Sequence, residues 1–343
     1  MSRFVIVGAG AVGSALAAAL TEQEQSDRRQ TLLIARGRAL EHLRENPLLL
    51  RTVTGDRRIP LRVASIEDAT LRVGDVLVLA VKAQHVAQAA SDLAWRPVFD
   101  GDAEVGTAAE VLPIVTTQNG IDAEETVARW FAHVVATTVL IAARYTEVGE
   151  VRVGGRPYLG SALIGEPYAP TRVTRNAVDT VAAAWVAAGF AVRRTGEIGA
   201  VKATKLLHSV KNGLEVLAGD DEAKRQVGEA LEAEARAVLE AAGRPIADRG
   251  VLVIDPDQRG GDADLGVGQG TQSTWQSFAR GADSHEIDHL NGEIARLARL
   301  HRVEAPVNTT LQALLGAAGQ RGGGIDLPGL DRLTALLPAG VAG

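Results

Sequence analysis

Residues 3–20 read RFVIVGAGAVGSALAAAL, and this stretch decides the fold of the amino-terminal half of the chain. A short apolar run precedes the spacing G-x-G-x-x-G, and an alanine-rich segment that predicts a helix follows it. In a strand–loop–helix unit, the first glycine allows a tight turn, the second lets the backbone approach a diphosphate, and the third lets the helix pack on the strand. The positive end of the helix then binds the diphosphate. We expect dinucleotide binding by Gly8, Ala9, Gly10, Ala11, Val12 and Gly13; the alternative is a glycine-rich turn without a ligand.

Further strands continue this pattern along the first half of the chain. Apolar runs without polar alternation are typical of strands covered on both faces, as in a parallel sheet. Because helical segments separate these runs, the pattern predicts right-handed crossovers and a doubly wound α/β sheet. The predicted strands are residues 31–34, 76–81, 111–115, 134–141 and 190–194, and a hairpin joins 48–52 to 58–63 around Thr54-Gly55-Asp56.

The pattern changes near residue 195, where apolar positions begin to recur at helical spacing. We therefore expect two domains, an α/β domain over residues 1–195 and an all-helical domain over residues 196–343. The predicted helical core includes Leu206, Leu207, Val210, Leu214, Leu217, Val227, Leu231 and Val238. A glycine-rich stretch, Gly260–Gly270, predicts either a mobile lid inside the helical domain or an unconstrained surface insertion. The chain after Gly319 is expected to be loose.

Composition excludes several classes of function. The 343 residues carry a net charge of −6 and contain no cysteine, so disulfides, thiolate catalysis and thiolate zinc sites are ruled out. The acidic balance argues against a nucleic-acid partner. We expect no membrane partner, since the longest apolar run is too short to span a bilayer. Histidines and acids show no metal-ligand spacing, so no metal is predicted. A cytoplasmic protein with a small-molecule substrate is expected, and the oligomeric state, with a homodimer as one option, is left open.

The residues after the second strand indicate which dinucleotide is bound. NAD-preferring enzymes place an acidic residue there, whereas this chain has Ala35-Arg36-Gly37-Arg38. An arginine can bind a 2′-phosphate through two parallel hydrogen bonds, so NADPH is the predicted cofactor. Arg36 is the better candidate because it comes first after the strand, and a solvated surface charge is the alternative.

Lys82 and Asn119 each follow an apolar strand and are expected at the edge of the sheet where ligands bind. Asn119 has both a donor and an acceptor and could serve the nicotinamide and a catalytic group. The alternatives are a solvated lysine and an ordinary Asn-Gly turn.

A third group of candidates lies in the helical half. Lys205, Ser209 and Asn212 have the spacing of one helical face. A protonated lysine can stabilise and protonate a carbonyl oxygen as hydride arrives, so Lys205 is a candidate catalytic residue. Lys202 and His208 flank this face. We interpret Lys202 as solvated, and a solvated basic face is also the alternative for Lys205.

Acidic and hydroxyl side chains complete the candidate set. Glu286 is in line with the apolar residues Leu290 and Ile294 at a spacing of four, so it would be partly buried and would need a partner such as Lys205 or a substrate hydroxyl. A solvated helix carboxylate is the alternative. Ser273 and Thr274 precede a predicted helix and are candidates for a substrate carboxylate, with ordinary helix caps as the alternative.

Taken together, several segments resemble the ketopantoate reductase family. They are VGAGAVGSALAAAL, LLIARGRALEHLRENPL, AVKAQ, QNGIDAEE, the Lys205 region, STWQSFARGADSHEIDHLNG and APVNTTLQALL, in the family's order. The resemblance implies a Rossmann-type domain followed by an all-helical domain, with the active site in the cleft between them. It implies an NADPH-dependent reduction of 2-dehydropantoate to pantoate on the route to coenzyme A.

The resemblance also implies a role at each matching position. Gly8, Gly10 and Gly13 match the phosphate-binding loop, Arg36 the NADP-selecting arginine, Lys82 and Asn119 the cofactor-side pair, Lys205 the catalytic lysine, Glu286 its glutamate partner, and Ser273 or Thr274 the serine that meets the substrate carboxylate.

The chain departs from the family pattern around the substrate. The family usually carries two asparagines at i+4 and i+8 from the lysine, where this chain has Ser209 and then Asn212 at i+7. A different keto acid or an imine is therefore an alternative substrate. A non-catalytic NADPH sensor is the alternative of another class, although such a protein would have no use for Lys205 with Glu286.

Overall fold

The computed structural model describes residues 2–24, 31–267, 273–279 and 286–338. The chain forms two compact units. The first comprises Met1–Gln118, Ala123–Ile198 and Leu252–Gly268, and the second comprises Asn119–Asp122, Gly199–Val251 and Gln269–Gly343.

Within its described residues, the first unit contains fifteen β-strands and six α-helices. The strands are β1 (Phe4–Val7), β2 (Leu32–Ile34), β3 (Leu48–Thr52), β4 (Gly55–Ile59), β5 (Arg62–Ala64), β6 (Leu71–Arg72), β7 (Val76–Leu79), β8 (Pro97–Asp100), β9 (Ala103–Thr107), β10 (Ile114–Thr116), β11 (Val134–Leu140), β12 (Ala143–Arg144), β13 (Glu150–Val153), β14 (Ser161–Gly165) and β15 (Ala191–Arg194). The helices are α1 (Ala11–Glu24), α2 (Gly37–Glu45), α3 (Val86–Ala94), α4 (Ala108–Val111), α5 (Ala123–Val127) and α6 (Arg172–Ala187), with a 3-10 turn at Ala83–His85.

An eight-stranded sheet forms the centre of this unit, in the order β15-β14-β11-β10-β7-β1-β2-β5. The pairs from β5 to β11 are parallel, and β14 runs antiparallel to β11. In β1, Phe4 and Ile6 join one apolar cluster, and Val5 and Val7 join another. Since successive side chains of a strand point to opposite faces, both faces of the sheet are covered, which explains the uninterrupted apolar runs. The predicted α/β class is confirmed.

The predicted hairpin is present with a shifted turn. Strands β3 and β4 pair antiparallel, the turn lies at Val53 and Thr54, and Gly55 begins β4 with φ of 124°. The single strand expected over residues 58–63 is divided around Pro60, which has no amide hydrogen to donate. Its second part, β5, pairs with β2 in the main sheet instead. The hairpin belongs to a four-stranded sheet, β12-β13-β3-β4, and β6-β8-β9 form a third sheet.

The second unit is helical. Its helices are α7 (Ile198–Ser209), α8 (Asp221–Ala241), α9 (Ser273–Ala279), α10 (Asn291–His301), α11 (Pro306–Gly319) and α12 (Leu330–Thr334), with 3-10 turns at Asn212–Val216, Arg249–Leu252 and Glu286–His289. The core positions expected between Leu206 and Val238 all lie in one buried apolar cluster. Two fully buried amides join the helices, because Asn291 Nδ2 donates to Asn308 Oδ1 at 2.9 Å and to the Val210 carbonyl at 2.9 Å.

Two expectations about loops need correction. The chain after Gly319 is not loose over its described part: Leu330 and Leu333 are buried, and the Leu327 amide donates to the Val216 carbonyl at 2.8 Å. The stretch Leu252–Gly268 groups with the first unit rather than with the helical one. It is held there by backbone pairing of Arg156 with Arg259. Residues 268–270 of the glycine-rich stretch lie outside the described residues.

Candidate active site

The glycine loop, residues 8–13, comprises the turn that follows β1 and the first residues of α1, and packing requires two of its glycines. Gly8 has φ of 116°, and a Cβ there would lie 2.9 Å from the backbone of Ala80. A Cβ on Gly13 would lie 1.9 Å from the Gly8 carbonyl oxygen. Neither position accepts a side chain, because these neighbours are backbone atoms that cannot move independently.

Gly10 is different, because a Cβ built there has no neighbouring atom within 4 Å. Its packing does not demand a glycine, so the missing side chain leaves open space beside the loop. The first turn of α1 holds no acidic side chain that would oppose a negative ligand. The half-buried Ala9, Ala11 and Val12 complete the loop. An open approach to the start of a helix fits a diphosphate group.

Arg36 lies directly beyond β2, where it precedes the first residue of α2 in extended conformation, with φ of −140° and ψ of 161°. The side chains of Arg36 and Arg38 are both exposed. No carboxylate occupies the position at which acidic residues bind ribose hydroxyls, so the residues present suit a phosphorylated ribose.

Lys82 follows β7 and is half-buried at the start of the 3-10 turn Ala83–His85. The buried Gln118, which follows β10, links this strand to the end of β7, because its Nε2 donates to the Leu79 and Val81 carbonyls, each at 2.9 Å. Gly8 packs against Ala80 and Val81 on the same segment. Lys82 directly follows Ala80 and Val81, whose backbone contacts Gly8. A position near the glycine loop is what the parallel order of β1 and β7 predicts for this residue.

In the second unit, Lys205 is partly buried in α7. Burial of the ammonium group lowers the pKa of Lys205 to about 7, and the charge of Lys202 lowers it further, while the carboxylate of Glu286 opposes the shift. Glu286 is buried in the 3-10 turn Glu286–His289. The structure thus brings together the predicted lysine and glutamate, and it gives the lysine a pKa suited to proton transfer near neutral pH.

Lys202 was interpreted from sequence as solvated, and this interpretation is wrong. Its side chain is only 4% exposed. The spacing of three residues from Lys205 was the available signal, since residues at i and i+3 are neighbours on a helix surface. The sequence could not show that this face is covered.

Ser209 shares one face of α7 with Lys205 as expected, whereas Asn212 does not, because α7 ends at Ser209. The Ser209 hydroxyl donates to the Lys205 carbonyl at 3.0 Å within the same helix. Asn212 begins the following 3-10 turn and is 8% exposed, and its Oδ1 has no hydrogen-bond partner among the described residues. Asn212 therefore retains an available acceptor, whereas Ser209 is engaged by its own helix.

Thr274 is buried in α9, and this helix packs against the 3-10 turn that Asn212 begins. Ser273 is the first residue of α9, and its side chain lies outside the described residues. The predicted pair for a substrate carboxylate is thus located on a helix next to the Asn212 turn.

Asn119 belongs to the second unit, unlike the strand that precedes it. It is half-buried in a turn that contacts the turn carrying Glu286: a Cβ on Gly120 would lie 2.6 Å from the His289 carbonyl oxygen. Sequence reasoning did not identify His289 or its partner Asp122, whose side chains are hydrogen-bonded.

Two kinds of structural feature are absent from the described residues. No group of three or more histidine, cysteine or acidic side chains in this part of the chain is arranged for metal binding. No helix within the same residues has the length and apolar character needed to cross a membrane.

A glycine-rich loop at the edge of a parallel sheet, in a chain that continues into a helical unit with a lysine–glutamate pair, is typical of nucleotide-dependent oxidoreductases. Residues 4–166 match the family model described as "Ketopantoate reductase PanE/ApbA", and residues 198–319 match its C-terminal counterpart. The chain belongs to the ketopantoate reductase family, whose members are oxidoreductases acting on CH–OH or C=O groups.

Similar proteins agree with this assignment. A 2-dehydropantoate 2-reductase from Halobacterium salinarum is 27% identical over 339 residues, which cover 93% of this chain and all of that protein. The crystal structure of a PanE/ApbA family ketopantoate reductase from Ralstonia eutropha has a TM-score of 0.73 at 24% identity and covers 93% of this chain and 99% of its own. A D-mandelate dehydrogenase with NADH and anilino(oxo)acetate has a TM-score of 0.72 at 18% identity, covering 93% and 98%.

Proposed function

We propose that this protein catalyses the NADPH-dependent reduction of a small 2-keto acid, with 2-dehydropantoate as the first candidate substrate and pantoate as the product. One observation carries the proposal: Lys205 has a pKa of about 7 and faces the charge of the buried Glu286. A lysine that only contributed to a solvated surface would keep a pKa near 10.4. The 2-dehydropantoate 2-reductase from Halobacterium salinarum supports the choice of substrate.

The cofactor, when bound, supplies the hydride. In this proposal the amides of residues 8–13 hold its diphosphate, Arg36 holds the 2′-phosphate, and Lys82 and Asn119 contact its nicotinamide side. Open space at Gly10 and the exposed guanidinium of Arg36 support these roles.

The remaining side chains act on the substrate. Lys205, in its protonated form, donates a hydrogen bond to the carbonyl oxygen and transfers a proton to it as the alcohol forms. Glu286 raises the pKa of Lys205 and so increases the protonated fraction at neutral pH. Asn212 and Thr274 contact the polar groups of the substrate, with Ser209 and Ser273 as the other members of the predicted set.

The test is the loss of absorbance of NADPH with purified protein and 2-dehydropantoate. Lys205→Ala should lower turnover by roughly 10²–10⁴-fold if Lys205 is the general acid. The matched control is Lys224→Ala, since Lys224 lies on α8 and shows no role in this site. Near wild-type turnover of Lys205→Ala would refute the catalytic assignment.

A different 2-keto acid is the second candidate. The D-mandelate dehydrogenase of similar fold holds anilino(oxo)acetate, an aromatic oxo-carboxylate, in its structure, and this supports testing aromatic 2-keto acids. A panel containing phenylglyoxylate, branched 2-keto acids and cyclic imines distinguishes these substrates. NADPH binding without turnover of any panel member would instead favour a sensor.

A further inference from the structure

Two turns of the second unit are joined by a charged hydrogen bond. His289 Nδ1 donates to Asp122 Oδ2 at 2.6 Å, although the residues are 167 positions apart in the chain. The side chains are 26% and 20% exposed, so the pair is largely shielded from water. Such a pair is stronger than one between exposed side chains, because less solvent screens it.

The backbone fits equally closely at this contact. Gly120 has φ of 89°, and the Cβ of any other residue would lie 2.6 Å from the His289 carbonyl oxygen. Ile121 lies in the same buried apolar cluster as Ile287 and Leu290. Three consecutive residues, Gly120 to Asp122, therefore hold their turn against the turn Glu286–His289 by shape, apolar burial and charge.

Each turn also carries a residue assigned to the proposed reaction. Asn119 directly precedes Gly120, and Glu286 lies three positions before His289. We propose that Asp122 and His289 form a positioning pair that fixes Asn119 relative to Glu286, and through Glu286 the charge environment of Lys205. This inference rests on the proposed function. Misplacement of a catalytic group by about 1 Å can lower a rate about 100-fold.

The charges around His289 favour its protonated form. The carboxylate of Asp122 raises the pKa of His289 through their hydrogen bond, and the charges of Asp122, Glu286 and Asp288 act in the same direction, against the effect of burial. Asp288 Oδ1 accepts a hydrogen bond from Gln312 Nε2 at 2.7 Å. Asp122 is thus the side chain that binds the imidazole, and Asp288 provides a matched carboxylate that does not.

The experiment compares Asp122→Asn, His289→Gln and the double variant in the NADPH-dependent assay. Each single variant should lower kcat about tenfold and leave the Kd for NADPH within threefold, since residues 8–13, Arg36 and Lys82, which make most of the proposed cofactor contacts, are unchanged. The double variant should be no slower than either single variant, because both remove the same interaction. Asp122→Glu, which keeps the carboxylate, should recover part of the lost kcat, and the control Asp288→Asn should stay within twofold of wild type.

A second measurement does not depend on turnover. The pKa of His289, followed by NMR of the imidazole, should fall in Asp122→Asn while thermal unfolding shows a folded protein. If Asp122→Asn unfolds, the kcat and the His289 pKa of Asp122→Glu decide the result. If His289→Gln unfolds, the two Asp122 variants decide it.

The outcomes separate the two proposals. Single variants within twofold of wild-type kcat, or losses that simply multiply in the double variant, would overturn the positioning role while leaving the proposed function intact. An unchanged His289 pKa in Asp122→Asn would overturn the pair itself. A wild-type protein that reduces no 2-keto acid would refute the proposed function, and a pair then confirmed by NMR would be a structural contact only.

Discussion

At the scale of single residues, Lys202 and Glu286 influence the pH at which Lys205 loses its proton. The proposed reduction requires protonated Lys205, and the pKa of this residue is about 7. The protonated fraction falls as pH rises through that value, so kcat for reduction should decrease on the alkaline side of about pH 7. Stopped-flow or steady-state pH profiles with saturating substrates measure this limb.

Neighbouring charges should move this limb in opposite directions. Lys202 lowers the pKa of Lys205, so Lys202→Met should shift the limb to higher pH. Glu286 raises it, so Glu286→Gln should shift the limb to lower pH. The position of the limb is the readout, whatever the height of the profile. Shifts of the same sign in both variants would contradict the assignment of the titration to Lys205.

Arg36 makes a separate prediction about cofactor choice. Arg36→Ala should raise the KM for NADPH about tenfold with little effect on the KM for NADH, because a charged hydrogen bond to a phosphate contributes about 1.5–3 kcal/mol before solvent screening. Arg38→Ala is the matched control, since Arg38 is exposed in the same segment. Equal effects on the two cofactors would show that Arg36 does not contact the 2′-phosphate.

At the scale of elements, substitutions in the unit formed by β1, the glycine loop and α1 should separate an effect on folding from an effect on cofactor binding. Gly13→Ala places a Cβ 1.9 Å from the Gly8 carbonyl, whereas Gly10→Ala places one in open space. Gly13→Ala should therefore lower the thermal midpoint, and Gly10→Ala should leave it within about 2 °C while weakening NADPH binding at least tenfold. Calorimetry and fluorescence titration measure the two effects. A Gly10→Ala protein with wild-type affinity would place the diphosphate elsewhere.

At the scale of the whole molecule, cofactor binding should increase the free energy of unfolding. NADPH at about 100 times its Kd should stabilise the folded protein by about 2.7 kcal/mol. NADH at the same concentration should stabilise it less, and Arg36→Ala should remove this difference. Lys205→Ala should retain the NADPH shift, because the proposed cofactor contacts lie on other residues. Equal stabilisation by both cofactors would agree with a dinucleotide-binding site but would contradict the predicted preference for NADPH.

Local sequence patterns account for those features that depend on neighbours in the chain. The period-2 packing of β1 and the spacing of Gly8, Gly10 and Gly13 specify a strand, a turn and a helix through local geometry. The apolar spacing from Leu206 to Val238 likewise located the helical core. The likeness to the ketopantoate reductases followed from segments in a fixed order, and the family models agree.

Only the tertiary structure decided which side chains lose contact with water and which distant groups meet. Lysine side chains usually remain in contact with water, yet Lys202 is buried in the folded protein. Its charge there lowers the pKa of Lys205. His289 and Asp122 are 167 residues apart, and no local pattern encodes their contact. Burial and long-range pairing depend on how the whole chain packs, because the free energy of a charge is set by every atom around it rather than by its neighbours in sequence.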